Sequence, residues 1–534
     1  MVYYPTDEDL QILNKKAIHS YCKIDLLNND MVTIDSLEGL VMTGSISIDA
    51  DSDIRRTFSS TIYLNNKSEI SNIMVEEWIS KFVRIHIGFE DSNGEIKWWP
   101  QGVYVFNQNG FSYSATEHTL SVSCVDLVAR LDGSLGGQLV GYSTEVEEDS
   151  NIRNAIVATL QLSDFKKHLV DYWDRTVPYT LEYDTGVNIW DILKELRDLY
   201  YPFEMYFDDD TFVCKEIPSG FGDPSVLDSA VFANFVISED ASVDYTEVKN
   251  CVEVFGAIIE SDYYAANCSL NESVLTLNLS NADLSNDTRI SFLFPGTVNN
   301  SKMSVTIVNS ITTTPEEGGE PTTETQTIGP YLLYEVNTDD EGNDVEQDPS
   351  VMKSNKYYVI EYSEDMKKFY FLGQQQAHAM VKLVDTIPSE EEIIEQQKIE
   401  NCDNLKFISV NDPTTTNTLY NSRFTIEKIG QRNKVLSGGS YDNYTTDESA
   451  MEVCQYEHWK SCRLTDTVTV QTILIPWLDV NQKLSYAAKY LNSNIPVEFL
   501  IKKIDMTLGD GTMSITMCRY YPYYPYIVED KYTS

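Results

Sequence analysis

Histidine, basic residues and long apolar runs are all scarce in this chain, and each scarcity closes off a class of function. Six His are scattered through 534 residues, at His19, His86, His118, His168, His378 and His458, and no HExxH or GxSxG pattern accompanies them. No hydrolase triad or zinc-protease helix can be assembled from motif alone. Neither a Walker-type phosphate loop nor a GxGxxG between strand and helix is present, so nucleotide hydrolysis has no support. Lys plus Arg number 39 against 83 Asp plus Glu, a formal charge of −44. Such a surface repels phosphate and disfavours gripping DNA, RNA or anionic lipid. No stretch approaches the ~20 consecutive apolar residues of a membrane helix. The opening MVYYPTDEDLQILNKK carries acids where a secretion signal has an apolar core. The expectation is a chain made in a cytosol with no membrane anchor. Its nine Cys contain no CxxC and several lie in apolar runs such as SVSCVDL (121–127), so they read as reduced core thiols.

What is abundant is strand-forming material. Tyr at 34 and Phe at 20 join plentiful Val, Ile and Thr, and hydrophobic residues make up 42% of the chain. The length predicts three or four domains at ~150 residues each. CKIDLL (22–27), GSISIDA (44–50), TFSSTIYL (57–64), FVRIHIGFE (82–90), WWPQGVYVFN (98–107) and LSVSCVDLVA (120–129) alternate apolar and polar residues between turn signals, which predicts a small barrel or sandwich. NIMVEEWIS (72–80) has helical spacing. From about 141 the pattern predicts two helices, within 143–161 and 188–203, and then a hairpin turning at Asp208, Asp209 and Asp210. The segment 248–259, VKNCVEVFGAII, reads as a strand returning to the first barrel.

The fold class predicted is therefore β-rich α+β and multidomain. An N-terminal β-barrel domain occupies 1–140 with its return strand at 248–259, and an α+β module occupies 141–247. A β-rich peripheral insertion with acidic loops, 311–327 and 337–350, occupies 260–420. A C-terminal β-barrel domain with one helix, 447–462, and an aromatic Pro-broken tail occupies 421–534. GQQQAHAMVKL (373–383) fits a helix or a strand.

No catalytic residue and no cofactor is predicted. The best metal candidates are Cys454, His458 and Cys462, whose four-residue spacing places them on one helical face. The same spacing is how a helix buries small and amphipathic residues, and no fourth ligand lies nearby, so core packing is preferred and zinc is the alternative. Asp49, Asp51 and Asp53 resemble the start of a calcium loop, but Ile54 and Ser60 stand where Gly and Glu are needed. Bound calcium at an unassigned site is left open. Trp98 and Trp99 are able to stack on sugars, although aromatics at strand ends are more often core or interface anchors.

Several segments together resemble a known family. GSISIDADSDIRRTFSSTIYL (44–64), EIKWWPQGVYVFN (95–107), LSVSCVDLVARLDG (120–133), the block 435–486 containing IPWLDVNQKLSY, and RYYPYYP (519–525) are similar to minor tail proteins of bacteriophages and prophages of Gram-positive hosts, in the baseplate hub or tail-tip class. The most distinctive pieces are IPWLDVNQKLSY and a strand followed by Asp and paired Arg. The resemblance implies a homotrimer with two small β-barrel-like hub domains per chain, forming a pseudo-sixfold ring that adapts a sixfold tail tube to a threefold tip in the virion. It implies partners above (distal tail protein or tail tube), below (tip, spike, fibre or lysin protein) and possible contact with the tape-measure protein. It also implies a channel that passes genomic DNA without binding it, and assembly in the host cytoplasm. Trp477, Tyr520, Tyr521 and Tyr523 are the expected subunit-interface anchors, with intramolecular core contact as the alternative. A hexameric distal-tail ring or carbohydrate-binding receptor adaptor, and last a tail-associated peptidoglycan hydrolase, are the competing functions.

Overall fold

Alternating side chains decide the first sheet of this computed structural model. Its strands are β1 (Ser20–Leu27), β2 (Thr33–Asp49), β3 (Arg56–Leu64), β4 (Phe82–Glu90), β5 (Ile96–Ser114) and β6 (Thr119–Asp126). They pair in the order β1, β4, β5, β6, β3, β2, and β2 pairs back with β1, which closes a barrel. Cys22 and Ile24 on β1, Phe58 and Ile62 on β3, and Leu120 and Cys124 on β6 point into its core, as a period of two requires. The structure describes the whole chain except residues 1–2, 16–18, 65–80, 178–179, 200–202, 218–224, 259–262, 299–301, 314–321, 339–342, 353–355, 411–422, 492–494, 521–534 and isolated single positions. The helix expected at 72–80 and the aromatic tail lie outside the described residues, as do the centres of both acidic loops.

β2 has a second task. Its first half pairs with β1, while Ser45–Asp49 offer the same edge to the strand Val497–Thr507, after a bulge between Val41 and Thr43. A bulge turns a strand and raises its twist, which lets one strand serve two sheets. The second sheet continues from Val497–Thr507 through Thr512–Arg519 and Thr465–Ile473 to Val236–Asp244, with Lys483–Tyr486 on the near side. Its two ends are tied by Glu239, whose carboxylate accepts from Tyr486 Oη at 2.7 Å and from the backbone N–H groups of Lys489 and Tyr490 at 3.1 and 3.2 Å. One apolar core runs through both sheets, from Ile24, Ile46 and Phe58 to Val470, Ile504 and Ile515.

The α+β module carries helices Ile152–Leu160 and Ile189–Asp198 and a small sheet of His168–Val170, Phe203–Asp208 and Thr211–Glu216. Asp209 takes φ 54° at the hairpin turn, a left-handed conformation that Asp tolerates well. The module's core of Ile156, Trp190, Leu193 and Phe212 is continuous with Leu27, Phe82, Val103 and Val105, which face outward from the barrel.

The chain divides into two compact units, one of residues 1–248, 413–421 and 461–534, the other of 249–412 and 422–460. The second unit holds an eight-stranded sheet around Leu277, Ile290, Ile307, Ile360 and Phe369, a four-stranded sheet, and the helix Asp447–Ser461 up to Lys460. Three sequence expectations change here. The segment 248–259 does not return to the first barrel: Cys251–Ile258 pairs with Gln376–Val384 and Asn433–Leu436. Val252 and Val254 are both fully buried there, as befits a central strand covered on both faces. The strand that joins the C-terminal sheet from before the insertion is Val236–Asp244, and the helix at 447 belongs with the second unit up to Lys460. The ambiguous segment near 373–383 is strand.

Candidate functional site: a buried ionic joint

Two arginines close the turn between β2 and β3. Their side chains leave the barrel and enter a polar cluster that also draws on residues 204–207 of the α+β module and 479–481 near the second sheet. Arg55 Nη1 lies 2.7 Å from Glu204 Oε2 and its Nη2 donates to the carbonyl of Val480 at 3.2 Å. Arg56 Nη1 donates to the carbonyl of Phe207 at 2.7 Å, and its Nη2 pairs with Asp479. Asn481 Nδ2 donates to Glu204 Oε2 at 2.6 Å, and the Arg55 guanidinium stacks over the Tyr206 ring at 3.8 Å. Arg55, Arg56 and Glu204 are each less than a tenth exposed. Buried charges survive only when paired and hydrogen-bonded, and here each guanidinium has both an anion and a carbonyl.

Electrostatics follow from that geometry. Burial pushes the Asp479 carboxyl up, but the positive charges of Arg56 and Arg55 outweigh it and hold the group below its usual range. Arg56 is disfavoured by burial yet raised on balance by Asp479 beside it. Asp126, whose carboxylate accepts from the backbone N–H groups of Arg56 and Val128 at 3.0 and 2.9 Å, goes the other way. Burial dominates there and lifts it to about 6. A raised carboxyl favours the protonated folded state, so its contribution to stability is full below the unfolded value of about 3.9 and is lost as pH climbs through about 6. The expected result is that wild type loses about 2 kcal/mol relative to Asp126→Asn between pH 4 and pH 7. Urea unfolding at several pH values checks it, and parallel curves for the two proteins would contradict it.

A second polar group occupies the outer wall of the barrel. Asp25 stands between Ser36, which donates to its Oδ1, and His86, whose Nε2 is 2.9 Å from its Oδ2. The order is Ser–Asp–His, with the carboxylate between hydroxyl and imidazole, so His86 is not placed to take a proton from Ser36. Burial, then Lys23 nearby, holds His86 below its usual range and favours the neutral ring. In the second unit His378 Nε2 meets Glu253 Oε1 at 3.0 Å, with its ring stacked on Phe255 at 4.4 Å.

The candidates singled out by sequence are placed as follows. Cys454 Sγ donates to the carbonyl of Val252 at 3.1 Å, and His458, fully buried, bonds the carbonyl of Asn250 at 3.3 Å; Cys462 is buried. Cys454 and His458 are thus engaged by backbone carbonyls at and just before the strand Cys251–Ile258. Among the described residues no three His, Cys, Asp or Glu side chains gather as a metal-holding group. Asp49, Asp51 and Asp53 turn to three separate cations, Lys503 at 3.8 Å, Lys502 at 3.4 Å and Lys194 at 3.0 Å. Trp477 is 6% exposed and packs against Trp99 and Tyr3, while Tyr520 is 7% exposed beneath Lys483, so both are occupied within the chain. Tyr521 and Tyr523 lie outside the described residues. The joint itself escaped the sequence reading: Glu204 is one of 83 acids, and only the rarity of adjacent Arg55 and Arg56 marked its other half.

Residues 421–524 match a family described as a domain of unknown function, DUF5048. A search of curated proteins finds no match. Among solved structures, the chain is similar to the tail protein from Neisseria meningitidis MC58, with 9% identity and TM-score 0.44 over 94% of this chain and 98% of that one. It is similar to a 43 kDa tail protein of prophage MuSo2 from Shewanella oneidensis, with 10% identity and TM-score 0.42 over 94% and 99%. It is also similar to prophage tail protein gp18 from Listeria monocytogenes EGD-e, with 8% identity and TM-score 0.38 over 93% and 94%.

Proposed function

We propose that this chain is a structural subunit of a phage-type tail tip, acting as a baseplate hub that carries a sixfold tube onto a threefold tip. The observation that carries this reading is the joint between Arg55–Arg56 and Asp479–Asn481. The two pieces on which the resemblance rests most, the strand with Asp and paired Arg and IPWLDVNQKLSY, meet there in buried ion pairs and hydrogen bonds. The shared strand β2 supports it further. By serving both sheets it makes one stiff body of two small β-sheets, and three copies of such a body supply six sheet modules to a ring.

The charge of −44 then has a mechanical use. Acidic walls around a channel let phosphate pass, whereas a basic wall would hold the genome through counterion release. In this reading the partners are further copies of the chain, a tube or distal ring above and tip proteins below, with assembly in the bacterial cytoplasm before release in the virion. Threefold-averaged electron micrographs of tails bearing an affinity-tagged chain test it. Three tags directly beneath the tube are expected. Six tags would make it a distal ring, and tags only at the fibre ends would make it a receptor adaptor.

A further inference from the structure

The first sheet closes into a barrel, whereas the second ends on an open strand. Among the described residues Val236–Asp244 pairs on one side only, with Thr465–Ile473, in an unbroken antiparallel register from Ser238 against Gln471 to Asp244 against Thr465. Seven of its nine residues are exposed. Long edge strands are ordinarily blunted by Lys, Pro or bulges; this one has neither Lys nor Pro, and its single bulge lies at its start, between Val236 and Ser238. Two devices keep it extended in spite of that exposure. Glu239 is tied to Tyr486 and to the backbone of Lys489 and Tyr490, and the Asp244 carboxylate accepts from Thr246 N–H and Oγ1 at 2.7 and 2.6 Å, which ends the strand in a tight turn. The edge is held in place, so little ordering entropy on this side opposes a strand that adds to it.

The side chains specify the partner. Glu239, Ala241 and Val243 stand opposite Val470, Val468 and Asp466, on the face that carries the core. Val468 and Val470 are fully buried, while Ala241 is exposed and Val243 is 37% exposed, so the apolar face runs one strand past its cover. Asp240, Ser242 and Asp244 stand on the other face, opposite Thr469, Thr467 and Thr465. An added strand sets its own side chains on the same two faces in alternation. Apolar ones fall beside Ala241 and Val243, and cationic ones beside Asp240 and Asp244, where opposite charges across strands attract. The strand does not suit a copy of itself: laid antiparallel about Asp240 or Ser242, it sets Asp240 against Asp240 or against Asp244, and like charges directly opposite destabilise a pair.

We infer that the open edge of Val236–Asp244 takes up an extended segment of another protein by strand addition, and that this segment alternates Lys or Arg with apolar residues. Backbone hydrogen bonds along the edge supply the attachment, and the two rows of side chains supply the selection. The inference is independent of the hub reading and of any ring geometry.

Fluorescence anisotropy of labelled peptides against the full chain at physiological salt tests the inference. A nine-residue peptide alternating Lys and Val, matched to the length of the strand, is expected to bind, and a Glu–Val peptide of the same alternation is expected to bind roughly tenfold more weakly or worse. Every second N–H of an added strand faces its neighbour, so N-methylation of one alternate set of peptide amides is expected to abolish binding and methylation of the other set to leave it. Asp240→Lys combined with Ser242→Lys is expected to weaken the Lys–Val peptide roughly tenfold or more, with far-UV circular dichroism and melting unchanged. Should those lysines disturb the sheet, Asp240→Asn is expected to weaken binding in the same direction. Two methylated peptides that bind alike would show attraction to an acidic surface without strand pairing and overturn the inference. A chain that binds neither peptide, or prefers Glu–Val, overturns it as well, and the tagged-tail micrographs decide the hub in either case.

Discussion

Replacing Arg56 with Met is expected to destabilise the first unit by about 3–5 kcal/mol. The guanidinium is 6% exposed, donates to the Phe207 carbonyl at 2.7 Å and neutralises Asp479. Removing it leaves a partly buried carboxylate without its main cation and a carbonyl without its donor, and a stranded charge costs far more than an intact pair contributes. The same logic predicts a contrast. Arg55→Met or Glu204→Met alone strands one charge, whereas the double replacement removes both and is expected to cost less than either single change. Its residual cost comes from Asn481, whose side chain also donates to Glu204, from Lys215, whose Nζ lies 3.7 Å from the other Glu204 oxygen, and from the Val480 carbonyl that loses its Arg55 donor. Urea unfolding followed separately for the two units is the measurement. The transition of the unit containing residues 1–248 should move and the other should not. A loss under about 1 kcal/mol for Arg56→Met, or equal shifts in both transitions, would show that the seam carries no load.

The contrast has an acid counterpart. Asp479 sits below its usual range because of Arg56 and Arg55, so its contribution is present at neutral pH and is lost as pH falls through its folded value. Asp126 has the opposite sign in the same seam, since burial raises it. Acidification therefore weakens one carboxyl of the joint while favouring the other.

Local pattern and distant pairing were unequally legible. Strands such as Phe82–Glu90 and helices such as Ile189–Asp198 follow from periodicity, because each buries one face and the period names that face. The β-rich class follows in turn. What alternation does not carry is the identity of a partner strand. The segment 248–259 has an evident strand pattern, yet it pairs more than a hundred residues downstream, at Gln376–Val384, and not with the barrel. VISEDASVD at 236–244 has almost no pattern, because it is an outer strand with most of its side chains exposed, and its partner is Thr465–Ile473. The joint shows the same limit: Arg55 and Arg56 stood out as a pair and IPWLDVNQ as a block, but only the fold brings 55–56, 204–207 and 479–481 together.

Trp477→Ala is expected to cost about 3–5 kcal/mol of stability without changing how copies associate. The indole is 6% exposed and sits in a run of rings, 6.1 Å from Tyr3 and 5.9 Å from Trp99, which in turn lies 5.7 Å from Phe89 inside the barrel. Truncation removes a large apolar surface and opens a cavity where the C-terminal loop meets the first barrel, in a core packed densely enough that neighbours relax only partly. Trp477→Phe keeps a ring in that stack, and the indole N–H has no acceptor among the described residues, so its cost is expected to stay below about 1.5 kcal/mol. An interface anchor would behave in the opposite way, with stability of the single chain preserved and association lost. Paired measurement of unfolding free energy and sedimentation for Trp477→Ala therefore separates a core tryptophan from a subunit contact.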